Sequence, residues 1–442
     1  MHLPDTFITS LQGTTGFEEE SFKAIHDSRE QVVSIRLNPS KPFNPAFALA
    51  ERVPWSSYGY YLKERPSFTL DPAFHAGAYY VQEASSMFLE HAIKSICKTE
   101  DQLTILDLCA APGGKSTLIQ SIISKESVLV SNEISKQRAG ILEENITKWG
   151  GANVIVTNNK PEDFSHLKGF FDVIVVDAPC SGSGLFRKDP EAIKEWSAQI
   201  VEMCSVRQQN ILTAVLPCLK EDGVLIYSTC SYSESENEEI CRWLVNEGLE
   251  PAHIPVDETW NIVETSPAGY RFYPDKLKGE GFFLSAFRNI SETDSYFRKQ
   301  SKPQFISDLS MLSAWITDPG ELVFIRHKDS VLGLPENTYA VLRELDGLFI
   351  LKAGILIGAL IRYEIVPAHA LAISTVISLS VESVQFSREE ALQYLRRAEL
   401  INATDKRGWI IVKYGTLNIG FIKSMGNRIN NYYPKEWRIL NK

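Results

Sequence analysis

Between about residues 101 and 290, short runs that are apolar at nearly every position alternate with longer stretches whose apolar residues recur every three or four positions. The short runs are LTILDL, SVLVSNE, NVIVT, FDVIVVD and GVLIYS. The helical pattern is carried by ISKQRAGILEENITKWG, a long stretch before GVLIYS, and SESENEEICRWLVNEG. A strand apolar on every side chain must be buried on both faces. Such strands in alternation with helices predict an α/β fold with a mostly parallel, doubly wound sheet. Ligands bind these sheets at the carboxyl ends of the strands, so the residues that close each run are the candidates for chemistry.

The flanks read differently. Residues 1–95 predict a small α+β region. In it LPDTFITSLQ is an amphipathic helix, VVSIRLNPSKP a strand stopped by Asn, Pro and Ser, and YYVQEASSMFLEHAIKSI a strand or loop entering a helix. Residues 291–310 (NISETDSYFRKQSKPQFISD) are polar and aperiodic and read as a linker. From 311 to 442 the pieces ELVFIRH, GLFILKAGILIGALIRYEIV and WIIVKYGTLNIGFIK predict a small β-rich domain containing the helix SREEALQYLRRAE. No long-period repeat or low-complexity tract is present.

The 442 residues leave room for two or three domains, and 44% hydrophobic against 23% charged residues is enough for real cores. A net charge of −10 argues against a general nucleic-acid binder, but the charge is uneven. Residues 391–442 hold ten Lys or Arg against three acids, which suits a basic docking surface on an acidic body as well as an ordinary basic surface. Seven dispersed cysteines, an odd number, argue against a disulfide framework, and the lack of a CxxC pair argues against structural zinc; no metal is expected. MHLPDTFITS lacks the pattern of a signal peptide. The longest apolar run, 347–361, is too short to span a bilayer and contains Lys352. A reducing cytoplasm is the expected setting.

Gly113 and Gly114 stand between the first apolar run and a helix, where glycine lets the backbone approach a ligand. The spacing is neither GxGxxG nor GxxxxGK[ST]. Glu133 closes the second run, where an acid can accept hydrogen bonds from ribose hydroxyls. A plain turn with a surface glutamate is the bland alternative; the glycines and Glu133 together favour a nucleoside cofactor without a phosphate cradle.

Asp177 and Cys180 follow the fourth run, and Thr229 and Cys230 end the fifth. Both thiols should emerge at the ligand edge, with the Asp177 carboxylate nearby. Buried cysteine is often only a small hydrophobe, the reading favoured for Cys97, Cys204, Cys218 and Cys241. A thiolate beside a nucleoside cofactor suits one reaction well. Addition to C6 of cytosine makes C5 nucleophilic, and a carboxylate near N3 stabilises the charge that develops. The base must first leave its stack.

DLCAAPGGKST, SNE, DAPCSGSGLFRKDP and STCSYSESENEE, flanked by YYVQEASSM and GYRFYPDKLKGEGFFLSAF, resemble the motif series of the Sun/Nop family of RNA cytosine-5 methyltransferases. The resemblance covers about 79–290 with high specificity and extends more weakly to both ends. SIRLNPSK is similar to the family's N-terminal RNA-binding region. YEIVPAHALAIS and GFIKSMGNRINNYYPKEWRI resemble the C-terminal PUA-like domain of the bacterial RsmF type, which acts on 16S ribosomal RNA.

This resemblance implies an N-terminal RNA-binding region (1–95), a Rossmann-like methyltransferase domain using S-adenosyl-L-methionine (96–290) and a PUA-like RNA-binding domain (311–442). It implies Cys230 as nucleophile, Cys180 as the thiol that assists release of modified RNA, and Asp177 and Lys115 at the reacting centre. It assigns cofactor binding to Cys109, Ala110, Ala111, Pro112, Gly113, Gly114, Lys115, Glu133 and Asp177. Lys188 matches a basic position facing RNA. The family's aspartate after the third strand, near the adenine, is Lys160 here, leaving Asn159 or Asp163 to supply that contact.

The expected partner is therefore RNA, either small-subunit ribosomal RNA or the assembling subunit, with no membrane and a monomeric chain. Transfer RNA is the rival substrate. A non-catalytic RNA-binding assembly factor is the rival class, disfavoured because both cysteines, Asp177 and Glu133 are present. An NAD-dependent oxidoreductase has the wrong glycine pattern.

Overall fold

The five apolar runs are the five parallel strands at the centre of a ten-stranded sheet in the computed structural model, which describes residues 3–28, 30–293, 311–361, 364–400, 404–426 and 428–440. They are β1 (Thr104–Asp107), β2 (Val128–Asn132), β3 (Val154–Thr157), β4 (Phe171–Asp177) and β5 (Leu219–Thr229). Antiparallel strands complete the sheet: β6 (Leu249–Pro251), β7 (Val263–Thr265), β8 (Gly269–Phe272), β9 (Phe282–Asn289) and β10 (Ile350–Ala353). The order is β7-β8-β9-β5-β4-β1-β2-β3-β10, with β6 also paired to β9. The sheet is thus parallel in its core and antiparallel at both edges.

Successive strand residues point to opposite faces, so each run feeds two cores. Ile105, Leu129, Val154 and Val175 meet Leu118 and Ile119 of α1 (Gly114–Gln120) and Leu142 and Ile146 of α2 (Lys136–Trp149). Leu106, Val130, Ile155 and Ile174 meet Leu212 and Val215 of α3 (Ala198–Val215) and Ile240 and Leu244 of α4 (Glu238–Asn246). Each such side chain contributes about 1.5–3 kcal/mol on burial. The chain runs outward from β1 through β3 and then crosses to β4 on the other side of β1. This reversal opens a crevice between the carboxyl ends of β1 and β4.

The N-terminal region forms a helix (Asp5–Leu11), a second helix (Glu19–Asp27) and a four-stranded antiparallel sheet. The SIRLNPSK segment, read as RNA-binding, turns inward. Arg36 is fully buried, with its guanidinium 4.5 Å from the Trp149 ring centroid. Its Nε donates to Gln82 Oε1 (2.8 Å), and its other nitrogens donate to Gly114 O (3.2 Å), Thr117 O (3.3 Å), Thr117 Oγ1 (2.6 Å) and Ser121 Oγ (3.1 Å). Asn38 donates to Trp149 O and Lys41 to Lys148 O, at the carboxyl end of α2. The segment is a clamp on the two helices behind the first glycine loop.

Residues 294–310, most of the stretch read as a linker, lie outside the described residues. Beyond them, the stretch expected as one small β-rich domain divides. One four-stranded sheet runs from Val323 to Pro367 and another from Ser383 to Asn431, the latter packing the helix Arg388–Leu395 behind a Ser387/Glu390 capping box. The run GLFILKAGILIGALIRYEIV does not stay in one sheet. Gly354, at φ +58°, breaks it, and β10 leaves to pair antiparallel with β3. β10 thereby covers what is otherwise an open edge of the central sheet.

Candidate active site

The loop after β1 is pinned from three sides. Ala110 N donates to Asn132 O (2.8 Å), Arg138 donates to Ala111 O (2.6 Å) and Asn145 to Pro112 O (2.8 Å). Gly113 has φ +113°, and a Cβ there would meet Leu142 Cδ1 at 3.2 Å; one on Gly114 would meet Tyr80 at 3.2 Å. The left-handed φ of Gly113 favours glycine there, and at both positions a Cβ would be tight against its neighbour. Lys115 opens α1, and Cys109 sits beneath the loop, its thiol driven far above the usual range by burial.

Asp107 ends β1 fully buried. Ser116 Oγ donates to its Oδ2 (2.6 Å), and Oδ1 has no partner among the described residues. Burial raises its pKa to about 7. A buried acceptor without a partner is costly unless a ligand or water satisfies it. At the end of β2, the Glu133 carboxylate is 3% exposed and fixed by Ser135 N (2.9 Å), with Arg138 3.5 Å away. Asn132 ties the ends of β1, β2 and β3 together through Leu108 O, Asn159 O and Thr157 Oγ1. This donor set fits a nucleoside cofactor: a glycine cradle, a fixed carboxylate for ribose hydroxyls and an orphaned buried acceptor.

Across the crevice, Asp177 closes β4. Lys115 Nζ lies 2.8 Å from its Oδ2, and Ser228 Oγ donates to its Oδ1 (2.8 Å). Burial opposes the Lys115 charge, but Asp177 and Asp107 raise its pKa on balance. Just past β4 and β5, the Cys180 and Cys230 sulfurs are 3.2 Å apart, and both residues are part-exposed. Cys180 is held well above the ordinary thiol range, first by its hydrogen bond to Cys230 and then by burial.

Glu236 organises these two loops. It is fully buried and accepts from Ser181 N (2.7 Å), Ser181 Oγ (2.6 Å) and Ser231 Oγ. Burial raises its pKa, and the serines oppose that. Thr229 Oγ1 donates to Asn237 Oδ1 (2.6 Å), and Asn237 donates to Ser231 O (2.8 Å). Gly184 N donates to Cys230 O (2.8 Å), where any side chain would strike Gly281 O. Asp107, Asn132 and Glu236 were not singled out from the sequence, although each lies inside a quoted motif.

The structure brings Cys180, Cys230, Asp177 and Lys115 together, with the 109–115 loop and Glu133 alongside. Asn159 Oδ1 accepts from Phe349 N (2.8 Å) and its Nδ2 donates to Phe349 O (3.1 Å), so the amide helps to hold β10. Asp163 accepts from Lys160 N (2.8 Å) at the start of its own helical turn. Lys188 is exposed, while its neighbour Arg187 is buried against Glu280 at 3.3 Å. Cys204, Cys218 and Cys241 are buried, and Cys97 ends a helix with its thiol raised to about 11 by burial. Among the described residues no His, Cys, Asp and Glu are grouped to hold a metal, and no helix is long and apolar enough to cross a membrane.

Three family models match the chain: 16S rRNA methyltransferase RsmB/F over residues 95–288, the N-terminal domain of 16S rRNA methyltransferase RsmF over 3–84, and the methyltransferase RsmF PUA domain over 381–439. The chain is 30% identical to a ribosomal RNA small subunit methyltransferase F of Shewanella amazonensis, covering 91% of each. It is 28% identical to one of Psychromonas ingrahamii, over 98% of this chain and 97% of that protein. Among solved structures, a methyltransferase homolog protein from Pyrococcus horikoshii superposes with a TM-score of 0.54 at 26% identity, over 64% of this chain and 93% of the other. NSun6 from the same organism, solved with SFG, shares the fold at a TM-score of 0.55 and 20% identity, over 65% of this chain and 99% of the other.

Proposed function

Because the chain belongs to the ribosomal RNA small subunit methyltransferase F family, we propose that it methylates C5 of cytosine in 16S ribosomal RNA through a transient bond from Cys230 to C6. The observation that carries this reading is the meeting of Cys230, Cys180 and the Lys115–Asp177 pair at one crevice.

S-adenosyl-L-methionine, when bound, supplies an electrophilic methyl group for C5. Gly113, Gly114 and Glu133 would hold it, with Asp107 near the loop. Cys230 attacks C6 of an unstacked cytosine as the thiolate, forming an S–C6 bond and moving the ring's C5–C6 electron pair onto C5. Asp177 faces N3 and the exocyclic amine; it takes up the proton that Cys230 gives up and passes it to N3, which neutralises the charge on the ring, and Lys115 keeps the carboxyl oriented. After methylation, water takes the C5 proton, the electrons of that C–H bond restore the C5–C6 double bond, the S–C6 bond breaks to expel the Cys230 thiolate, and the N3 proton returns to Asp177. Cys180, its sulfur 3.2 Å away, donates a hydrogen bond to that thiolate as it leaves.

RNA docking belongs to the C-terminal domain. Exposed Arg407 and Arg428 flank Trp409 and Tyr432, whose ring centroids are 4.4 Å apart, and Lys423 lies 5.1 Å from the Trp409 centroid. Cations beside aromatic rings suit phosphate contact and base stacking. Tyr433 is instead core. Bisulfite mapping of 16S and transfer RNA from cells with and without the protein tests the reading. A cytosine methylated only when the protein is present, in 16S RNA, is expected; its absence there overturns the substrate.

A further inference from the structure

The carboxyl ends of β2 and β3 carry two large apolar side chains in the open: Ile134 is 60% exposed and Phe349 58%. Ile134 directly follows the Glu133 carboxylate. Phe349 comes from far along the chain, yet its backbone is fixed three times at the end of β3. Asn158 N donates to its O (3.0 Å), and Asn159 takes both its N–H and its O. Ile350 pairs with Thr157, so Phe349 stands opposite Asn158. Residues opposite one another on antiparallel strands project to the same face. The Asn158 side chain reaches Glu133 O (2.6 Å) and Ile134 O (3.0 Å). The Phe349 backbone is therefore fixed at Asn158, whose side chain is tied to the backbone of Glu133 and Ile134.

An aromatic ring this exposed, on a backbone fixed by three hydrogen bonds beside β3, calls for an apolar partner. The ligand group attached to a ribose at Glu133 is a flat heteroaromatic base, and the position after β3 where the resemblance expects an aspartate is Lys160. We propose that Phe349 forms the outer wall of the cofactor site and packs against the adenine opposite Ile134, so that the C-terminal third of the chain completes the cofactor pocket. Stacking and apolar enclosure then replace the acidic contact that Lys160 has displaced. This rests on the reading of the Gly113–Glu133 crevice as the S-adenosyl-L-methionine site.

Titration calorimetry of the full chain with S-adenosylhomocysteine and with 5′-methylthioadenosine, which keeps adenine and ribose but lacks the amino acid, tests it. Wild-type protein that binds neither compound sinks the cofactor reading itself. With wild-type binding established, Phe349→Ala is expected to weaken both compounds about tenfold, and Phe349→Trp to stay within about threefold of wild type. Because the ring is exposed, both variants should keep the wild-type melting temperature. Unchanged affinity in Phe349→Ala overturns the proposal. So does a loss confined to S-adenosylhomocysteine, or an equal loss in Phe349→Trp.

Discussion

The sulfur of Cys180 lies 3.2 Å from that of Cys230, close enough for one thiol to hydrogen-bond the other. Cys180 is raised well above the ordinary thiol range, first by its hydrogen bond to Cys230 and then by burial. The family resemblance makes Cys230 the nucleophile and Cys180 the thiol that assists release. On RNA carrying 5-fluorocytosine, where the C5 substituent cannot leave as a proton, wild type should form a covalent adduct visible by gel shift. Cys230→Ala should form none. Cys180→Ala should accumulate adduct even on unmodified RNA, because release of the sulfur is slowed. Identical behaviour of the two variants would refute the division of roles.

Arg36 stacks on Trp149 and feeds five hydrogen bonds into Gln82 and the α1 helix. Arg36→Met keeps much of the volume but strands several buried acceptors. The expected loss is about 3 kcal/mol of stability, read from urea denaturation, since each buried group left without a partner costs about 1–3 kcal/mol. Arg36→Lys should recover part of it. An Arg36→Met protein as stable as wild type would mean the clamp contributes nothing.

His75 joins the N-terminal and C-terminal regions. Its Nε2 meets Thr69 O (2.9 Å), and its Nδ1 faces Tyr433 Oη (3.3 Å). Burial, with Lys148 nearby, lowers its pKa to about 4. A histidine kept neutral in the fold but free to charge when unfolded favours the native state fully above about pH 6.5. That contribution is lost as pH falls toward 4. Asp107 and Glu280, both raised to about 7 by burial, act in the opposite sense. The informative measurement is therefore a difference. Between pH 7 and 5, wild type should lose about 2 kcal/mol more than His75→Asn. Parallel pH curves for the two proteins would contradict this assignment.

Arg407, Lys423 and Arg428 share the exposed face with Trp409 and Tyr432. Replacing any one by alanine should weaken RNA binding and reduce the slope of log affinity against log salt by about 1 for each phosphate no longer neutralised. Filter binding across a salt series reads both. An unchanged slope would remove this face from the RNA interface.

Much of this was legible because local pattern and tertiary burial agree along β1 to β5. A strand apolar on both sides has only one home, and the residue that ends it has only one direction to face. The parts that were not legible are long-range. Arg36 looks like a surface cation in SIRLNPSK, and only the α1 carbonyls, some 80 residues away, turn it inward. Glu236 is one of several acids in SESENEE, and nothing local marks it as the one between two serine-bearing loops. Asn159 is tied to Phe349, 190 residues distant, a link that nothing near it in the sequence announces. GLFILKAGILIGALIRYEIV reads as a local β unit, and pairing of its first part with β3 leaves no trace in its own periodicity.

Since β10 seals β3, the catalytic module cannot be excised from its neighbours. A chain ending near residue 293 would present the backbone of Val154–Thr157 as a bare template, inviting association with other copies. Completion of the catalytic sheet thus waits on residues 350–353, made long after the strands whose edge they cover.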